Sequence, residues 1–187
     1  MRRFVLGLIA FLSLEVFVLA ADALLPPDMS RGRRSSPVTL DRRGQWLRAL
    51  PVEDGRWRIR ADLKRTDPSF VRRLVAIEDQ RFFVHAGVDP RAVVRAGGTA
   101  LVRGRVVSGA STLTMQTARL LEPRPRNLGS KLIEMVRAVQ IEARLSKREV
   151  LALYLTLAPY GGNLEGVRAA SLSWFGHEPE SLTLGEQ

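Results

Sequence analysis

Residues 78–89 read Glu-Asp-Gln-Arg-Phe-Phe-Val-His-Ala-Gly-Val-Asp, a segment in which two adjacent carboxylates precede an aromatic pair and a histidine. Glu78 and Asp79 stand at the end of an apolar run that begins after Asp67-Pro68. A carboxylate at the edge of an apolar wall loses hydration, so its pKa rises and it can accept a proton near neutral pH. The same residues also fit a solvated helix end, followed by a new helix that is capped at Asp89-Pro90. By itself the segment therefore leaves a catalytic site and a plain helix boundary both open.

The segments around this stretch predict a mainly α-helical domain. Apolar periodicity and capping residues place helices at Pro68 to about Gln80, Pro90 to about Val102, Ser130 to about Leu145, and from Ser146 to about Leu157. Three short strand patterns between residues 38 and 59, separated by Gly-containing turns, predict a small antiparallel β-ribbon. The candidate site residues are thus expected at helix ends.

The first 37 residues differ in composition from the rest of the chain. An apolar run from Phe4 to Leu25 is, at 22 residues, long enough to span a bilayer. We expect residues 1–25 to form a transmembrane helix; the alternative is a cleaved signal peptide, because Ala21-Asp-Ala23 resembles a cleavage site. Residues 26–37, rich in Pro, Ser, Gly and Arg, are expected to be a juxtamembrane linker without packing of its own. The positive-inside rule opposes an exterior domain, because five arginines lie within residues 31–43 and only two precede the run.

The charge predicts an anionic partner. The net charge is +10, and only three of the 29 basic residues are lysines. Arginine binds phosphate in a bidentate fork, which suits anionic lipid, pyrophosphate or nucleic acid. Nucleic acid is the least favoured, because an export segment separates the chain from it and Arg is not interleaved with aromatic residues. The absence of cysteine excludes disulfides and thiol catalysis.

Two later segments change the balance between the two interpretations of residues 78–89. Residues 109–116 read Gly-Ala-Ser-Thr-Leu-Thr-Met-Gln, and residues 131–134 read Lys-Leu-Ile-Glu. In this order the three segments resemble the family 51 glycosyltransferases, the peptidoglycan polymerase domain of class A penicillin-binding proteins. The first two match the patterns Glu-Asp-x-x-Phe-x-x-His-x-Gly-x-Asp and Gly-x-Ser-Thr-x-Thr-x-Gln, and Ala110 and Met115 are most similar to the penicillin-binding protein 1C branch. The resemblance covers residues 38–187 and implies a lysozyme-like, mainly α fold with an incomplete C-terminal end.

The resemblance also implies a reaction. Members of this family polymerise lipid II into β-1,4 glycan strands with inversion, and they release polyprenyl pyrophosphate. Glu78 corresponds to the general base, and Glu134 to a second catalytic glutamate that orients a base or holds a divalent cation, Mg²⁺ or Mn²⁺, at the phosphates. Implied partners are lipid II, the growing glycan strand and other cell-wall synthesis proteins, on the periplasmic face of the bacterial inner membrane. No Ser-x-x-Lys transpeptidase pattern occurs, so penicillin binding is not expected.

Roles for further residues follow from the same resemblance. Substrate contacts are expected from Ser111, Thr112, Gln116, Arg119, Arg126 and Lys131, and structural roles around the site from Asp79, Phe82, His85, Gly87, Asp89 and Gly109. Residues 109–112 lead into a helix N-terminus, which favours an anion, and Lys131 can pair with Glu134 one turn later. Ser130 and Thr156 replace the Arg and Asn that are usual in the family. These departures keep a second hypothesis open, a catalytically weak, membrane-tethered binder of anionic lipid or glycan.

Overall fold

A computed structural model describes residues 22–103 and 111–187, together with Ser13. Its helices are α1 (Ser30–Arg33), α2 (Pro68–Glu78), α3 (Pro90–Arg103), α4 (Leu113–Leu121), α5 (Leu128–Glu142), α6 (Lys147–Leu157) and α7 (Val167–Trp174). Its strands are β1 (Val38–Leu40), β2 (Trp46–Ala49), β3 (Trp57–Arg58) and β4 (Leu164–Glu165). The prediction of a mainly α-helical domain with small strands is confirmed. The predicted membrane helix lies almost entirely outside the described residues, and none of the helices within them is long and apolar enough to cross a membrane.

Helix α4 lies at the centre of the fold and packs against α5 and α6. Six of its nine residues are buried, and its two buried threonines have hydroxyl partners. Thr117 Oγ1 donates to the Leu113 carbonyl at 2.8 Å, and Thr114 Oγ1 donates to Glu142 Oε1 at 2.5 Å. Burial of these polar groups is therefore compensated. The position of α4 fixes the side chains of the second sequence segment relative to the first.

Capping residues set the helix boundaries. Asp67 begins α2, and hydrogen bonds from the Ser69 hydroxyl and from the backbone N–H groups of Ser69, Phe70 and Leu182 lower its pKa to about 2. The predicted capping box at the start of α6 is present between Ser146 and Glu149. Helix α5 begins at Leu128, two residues earlier than predicted, because the Asn127 side chain accepts a hydrogen bond from the Ser130 N–H at 2.8 Å.

The predicted three-stranded ribbon is right for two strands and wrong for the third. Strands β1 and β2 pair antiparallel, with Val38 opposite Ala49. Strand β3 instead pairs in parallel with β4. Arg58 and Glu165 are opposite each other in that pairing, and the Arg58 Nη2 atom lies 2.5 Å from Glu165 Oε2. A buried ion pair across more than 100 residues is invisible to the local turn pattern on which the prediction depended.

The segment 26–37 is not the unpacked linker that its composition predicts. Met29 packs against the hydrophobic core, and Ser36 is buried. Gly32 approaches α6 so closely that a Cβ atom at this position would lie 2.4 Å from Leu153 Cδ1. The segment is thus an ordered part of the domain with little regular secondary structure.

Candidate active site

An open cleft of about 990 Å³ runs between the end of α2, the start of α3, helix α4 and the first turns of α5. Every residue predicted to be catalytic or to bind substrate lines this cleft, namely Glu78, Ser111, Thr112, Gln116, Arg119, Arg126, Lys131 and Glu134. Asp79 and Asp89 also reach it, whereas Phe82, His85 and Gly87 are absent from its lining. Gly109 lies outside the described residues. The fold thus brings all three sequence segments to one place.

Glu78 is the last residue of α2 and is exposed to the cleft. The apolar wall expected beside Glu78 is not formed, because the buried residues of α2 face the core and the neighbouring Ile77 is 80% exposed. Gln116 Nε2 donates a hydrogen bond to Glu78 Oε2 at 2.9 Å. Burial raises the pKa of Tyr154 to about 12, and the Glu78 carboxylate adds to this rise. Glu78 therefore lies exposed at the end of a helix, and a hydrogen bond from the Gln116 amide holds its carboxylate.

Asp79 and His85 form a buried connection beneath the cleft. The Asp79 carboxylate oxygen Oδ2 lies 3.0 Å from His85 Nε2 and accepts a hydrogen bond from the Leu113 N–H at 2.9 Å. Leu113 is the first residue of α4. The carboxylate thus ties the turn after α2 to the N-terminus of α4, which carries Gln116. This agrees with a structural role for both residues, which stays a prediction.

Gly87 and Thr112 form a second connection between the same elements. The Thr112 hydroxyl donates to the Gly87 carbonyl at 2.5 Å and accepts from the Met115 N–H at 3.1 Å, which caps α4. Thr112 is buried. Its contact with substrate stays a prediction. Its hydroxyl already makes two hydrogen bonds, and these connect the segment around Gly87 to the start of α4.

Gly87 is required by its backbone and by its neighbour. Its φ is +88°, and a Cβ atom there would lie 2.6 Å from the Ala138 backbone carbonyl carbon and oxygen on α5. We expect Gly87→Ala to lower the free energy of unfolding by about 1–3 kcal/mol through overpacking, in addition to strain in the left-handed region. Urea unfolding of the variant measures this loss. Gly44→Ala is the matched control, since Gly44 has a φ of +78° but nothing within 4 Å of an added Cβ. Equal losses in the two variants would contradict the proposed contact with α5.

A cluster of cations and one carboxylate lies across the cleft at the start of α5. Lys131 Nζ donates to Glu134 Oε2 at 3.0 Å and to Ser111 Oγ at 2.6 Å, so the predicted pair forms and includes a third partner. Arg119 Nη1 lies 3.9 Å from Glu134 Oε1, and Arg126 is exposed at the same cleft. Two cations therefore flank one buried carboxylate, and a third cation lines the same cleft. The arrangement suits a ligand with more than one negative charge.

The same cluster does not fit a preformed metal site. Both oxygens of Glu134 face cations, Lys131 and Arg119. In the parts of the chain that the structure describes, no group of three or more His, Asp or Glu side chains lies close enough together to hold a metal ion. A single carboxylate between two cations is a weak ligand set for Mg²⁺ or Mn²⁺, which favour several oxygen ligands.

Phe82 lies beneath the cleft region and Asp89 lies in the cleft lining, and both make structural contacts. Phe82 is fully buried, with Lys147 Nζ 4.6 Å from its ring centroid. Asp89 is buried, and its side chain accepts from the Arg91 N–H at 3.0 Å, at the start of α3. Arg81 Nε lies 3.7 Å from the same carboxylate. These contacts fit the structural roles that the sequence predicts for both residues.

The two departures from the family pattern are accommodated differently. Ser130 is buried in the first turn of α5 and lines the cleft. Thr156 lies near the end of α6, where its hydroxyl accepts from the Ala61 N–H at 3.0 Å and donates to the Ala152 carbonyl at 2.7 Å. Thr156 therefore links α6 to the segment after β3. Ser130, in contrast, leaves the cleft without a cation that an Arg would supply.

The sequence of the chain matches a known protein family and several curated relatives. The transglycosylase family model matches residues 43–187. The chain is 47% identical to penicillin-binding protein 1C of Escherichia coli strain K12 over 133 residues, which are 71% of this chain and 17% of that protein. It is 42% identical to penicillin-binding protein 1A of the same strain over 131 residues, 69% of this chain and 15% of that protein. It is 30% identical to penicillin-binding protein 1A of Aquifex aeolicus strain VF5 over 195 residues, 100% of this chain and 26% of that protein. The chain thus spans about a quarter or less of the length of these relatives.

Proposed function

Because the chain belongs to the transglycosylase family, the family 51 glycosyltransferases, we propose that it polymerises lipid II into β-1,4 glycan strands and releases polyprenyl pyrophosphate. One observation carries this proposal. A single cleft joins a carboxylate at a helix end, Glu78, to a cluster that holds Lys131, Arg119 and Glu134. The Glu78 carboxylate can take a proton, and the cations of the cluster can receive a departing diphosphate.

In the proposed reaction Glu78 is the general base. The 4-hydroxyl of the acceptor sugar loses its proton to the Glu78 carboxylate while its oxygen forms a bond to the anomeric carbon of the donor. Attack from the face opposite the leaving group inverts that carbon from α to β. Gln116 acts as a positioning residue, because its amide holds one oxygen of Glu78. An oriented base contributes to the rate through both proton transfer and placement.

The cations stabilise the leaving group in this proposal. The bond between the anomeric carbon and the phosphate oxygen breaks, and its electron pair stays on the pyrophosphate. The charge that develops there is met by Lys131, Arg119 and the exposed Arg126. Glu134 positions Lys131 and Arg119, and Ser111 holds Lys131 from the other side. Such preorganised charges are more effective in the transition state than in the ground state.

We further propose that the reaction takes place at the outer face of the bacterial inner membrane. Lipid II carries a polyprenyl chain that stays in the bilayer, so the cleft must lie close to lipid. Ile77 and Leu128 line the cleft and are 80% and 70% exposed. Exposed apolar side chains among arginines suit contact with an anionic lipid surface.

Lys131→Ala tests the role of the cation cluster. We expect the variant to lower kcat for lipid II consumption by roughly 10- to 100-fold with KM little changed, because a lost charge-assisted hydrogen bond costs about 1.5–3 kcal/mol. The measurement is release of polyprenyl pyrophosphate at limiting and saturating lipid II. Arg148→Ala is the control, since it removes the same charge from an exposed position on α6 that does not line the cleft.

The result that contradicts this role is unchanged kinetics for Lys131→Ala. A purely structural ion pair between Lys131 and the buried Glu134 carboxylate would contribute to stability and nothing to turnover. Thermal melting of both variants shows whether they fold. If the folded wild type binds lipid II without converting it, the proposal of an enzyme is wrong and the tethered binder replaces it.

A further inference from the structure

All three tryptophans of the chain lie around one groove that is separate from the catalytic cleft. Trp46, Trp57 and Trp174 line a cavity of about 520 Å³ together with Ile59, Leu164 and Leu172. This volume falls within the range of about 300–1,000 Å³ that is typical of small-ligand sites. The groove and the cleft share no lining residue. It is formed by β2, β3, the turn before β4, and α7.

The chemistry of the groove differs from that of the cleft. None of the described residues that line the groove is charged, whereas the cleft carries Arg119, Arg126 and Lys131. Within the described residues, none of the three indole N–H groups donates a hydrogen bond, and Trp174 is 64% exposed. Arg168 lies against the Trp46 ring at 5.6 Å, which supports that ring from outside the lining. The groove is therefore lined by indole rings and by other uncharged residues, as far as the structure describes it, and the indole N–H groups have no partner within the described part of the protein.

We propose that this groove binds a short stretch of an uncharged β-1,4-linked glycan strand. A pyranose ring presents C–H faces that pack on indole rings and oxygens that accept hydrogen bonds from indole N–H groups. Among the described residues no cation lines the groove to receive a phosphate, and Arg168 beside Trp46 is paired with Glu178 at 2.7 Å. The β-1,4 linkage and the N-acetylhexosamines of the strand rest on the proposed function, whereas the recognition of a sugar ring does not.

Intrinsic fluorescence tests the proposal directly, because every tryptophan of the chain lines the groove and none lines the cleft. The probe is the β-1,4-linked hexamer of N-acetylglucosamine, which has no lipid and no pyrophosphate. We expect a saturable change in emission on titration. Trp174→Ala should weaken binding at least about tenfold, as the loss of an aromatic anchor does. Leu47→Ala is the matched control, since Leu47 is 66% exposed beside Trp46 but does not line the groove.

Three results would overturn the proposal. They are an emission that does not respond to the hexamer, equal affinity in Trp174→Ala and wild type, and saturation by an uncharged alkyl detergent but not by the hexamer. Circular dichroism of both variants establishes that they are folded. The titration does not depend on turnover. Failure of lipid II polymerisation together with hexamer binding through Trp174 would therefore refute the proposed function and leave the glycan groove standing.

Discussion

Glu78→Gln is expected to lower kcat for glycan polymerisation by about 10²- to 10⁴-fold while the protein stays folded. Gln has the shape of Glu but cannot take a proton from the acceptor hydroxyl. Because Glu78 is exposed at the end of α2, the change removes no core contact. The Gln116 amide can still donate to the new side-chain carbonyl. The initial rate of lipid II consumption, with thermal melting alongside, measures the loss.

The matched control for this variant is Glu53→Gln. Glu53 is an exposed carboxylate outside the cleft, 3.2 Å from Arg34 Nη1. Glu53→Gln makes the same change from carboxylate to amide at a position away from the cleft, so this control should keep the wild-type rate. Wild-type turnover by a folded Glu78→Gln variant would show that Glu78 is not the general base.

Glu165→Gln is expected to cost about 3–5 kcal/mol of unfolding free energy, the largest effect on stability that we predict. Glu165 is 2% exposed and is the shared partner of three arginines. Its oxygens lie 2.5 Å from Arg58 Nη2, 2.6 Å from Arg31 Nη2 and 3.2 Å from Arg56 Nε. Arg58 is itself fully buried. Neutralising the one carboxylate leaves a buried guanidinium without its principal counter-ion, which is far more costly than losing a surface pair.

Urea unfolding of Glu165→Gln and Glu53→Gln compares a buried and an exposed carboxylate that both pair with arginine. The exposed pair contributes at most about 1 kcal/mol. We also expect residues 26–37 to become accessible to protease in Glu165→Gln, because Arg31 attaches this segment to β4. A loss below 1 kcal/mol in the buried variant would show that the arginine cluster does not hold the segment.

Much of the architecture could be predicted because it is encoded locally. The capping residues Asp67 and Ser146 define the starts of α2 and α6, and both caps are formed. The i,i+3 spacing of Lys131 and Glu134 predicts their pair, which forms at 3.0 Å. The order of the three segments predicts that they share a site, and all three line one cleft.

The features that could not be predicted depend on contacts between distant parts of the chain. The pairing of β3 with β4 is tied to Arg58 and Glu165, which are separated by more than 100 residues. Residues 26–37 are attached to distant parts of the chain, as by the pair of Arg31 with the same carboxylate, so composition alone could not assign that segment. The family resemblance predicts that Gln116 contacts substrate, and in the structure its amide also holds Glu78 across 38 residues. Such roles become visible only when α2 and α4 are placed side by side.

We propose that the cleft between Glu78 and the Lys131 cluster polymerises lipid II. Electrophoretic separation of the products that wild type and Glu78→Gln form from labelled lipid II, in the same detergent and at the same protein concentration, tests it most directly. We expect a ladder of lengthening glycan strands from the wild type and unconverted lipid II from Glu78→Gln. A ladder of equal intensity from both proteins, or none from a folded wild type that binds lipid II, would contradict it.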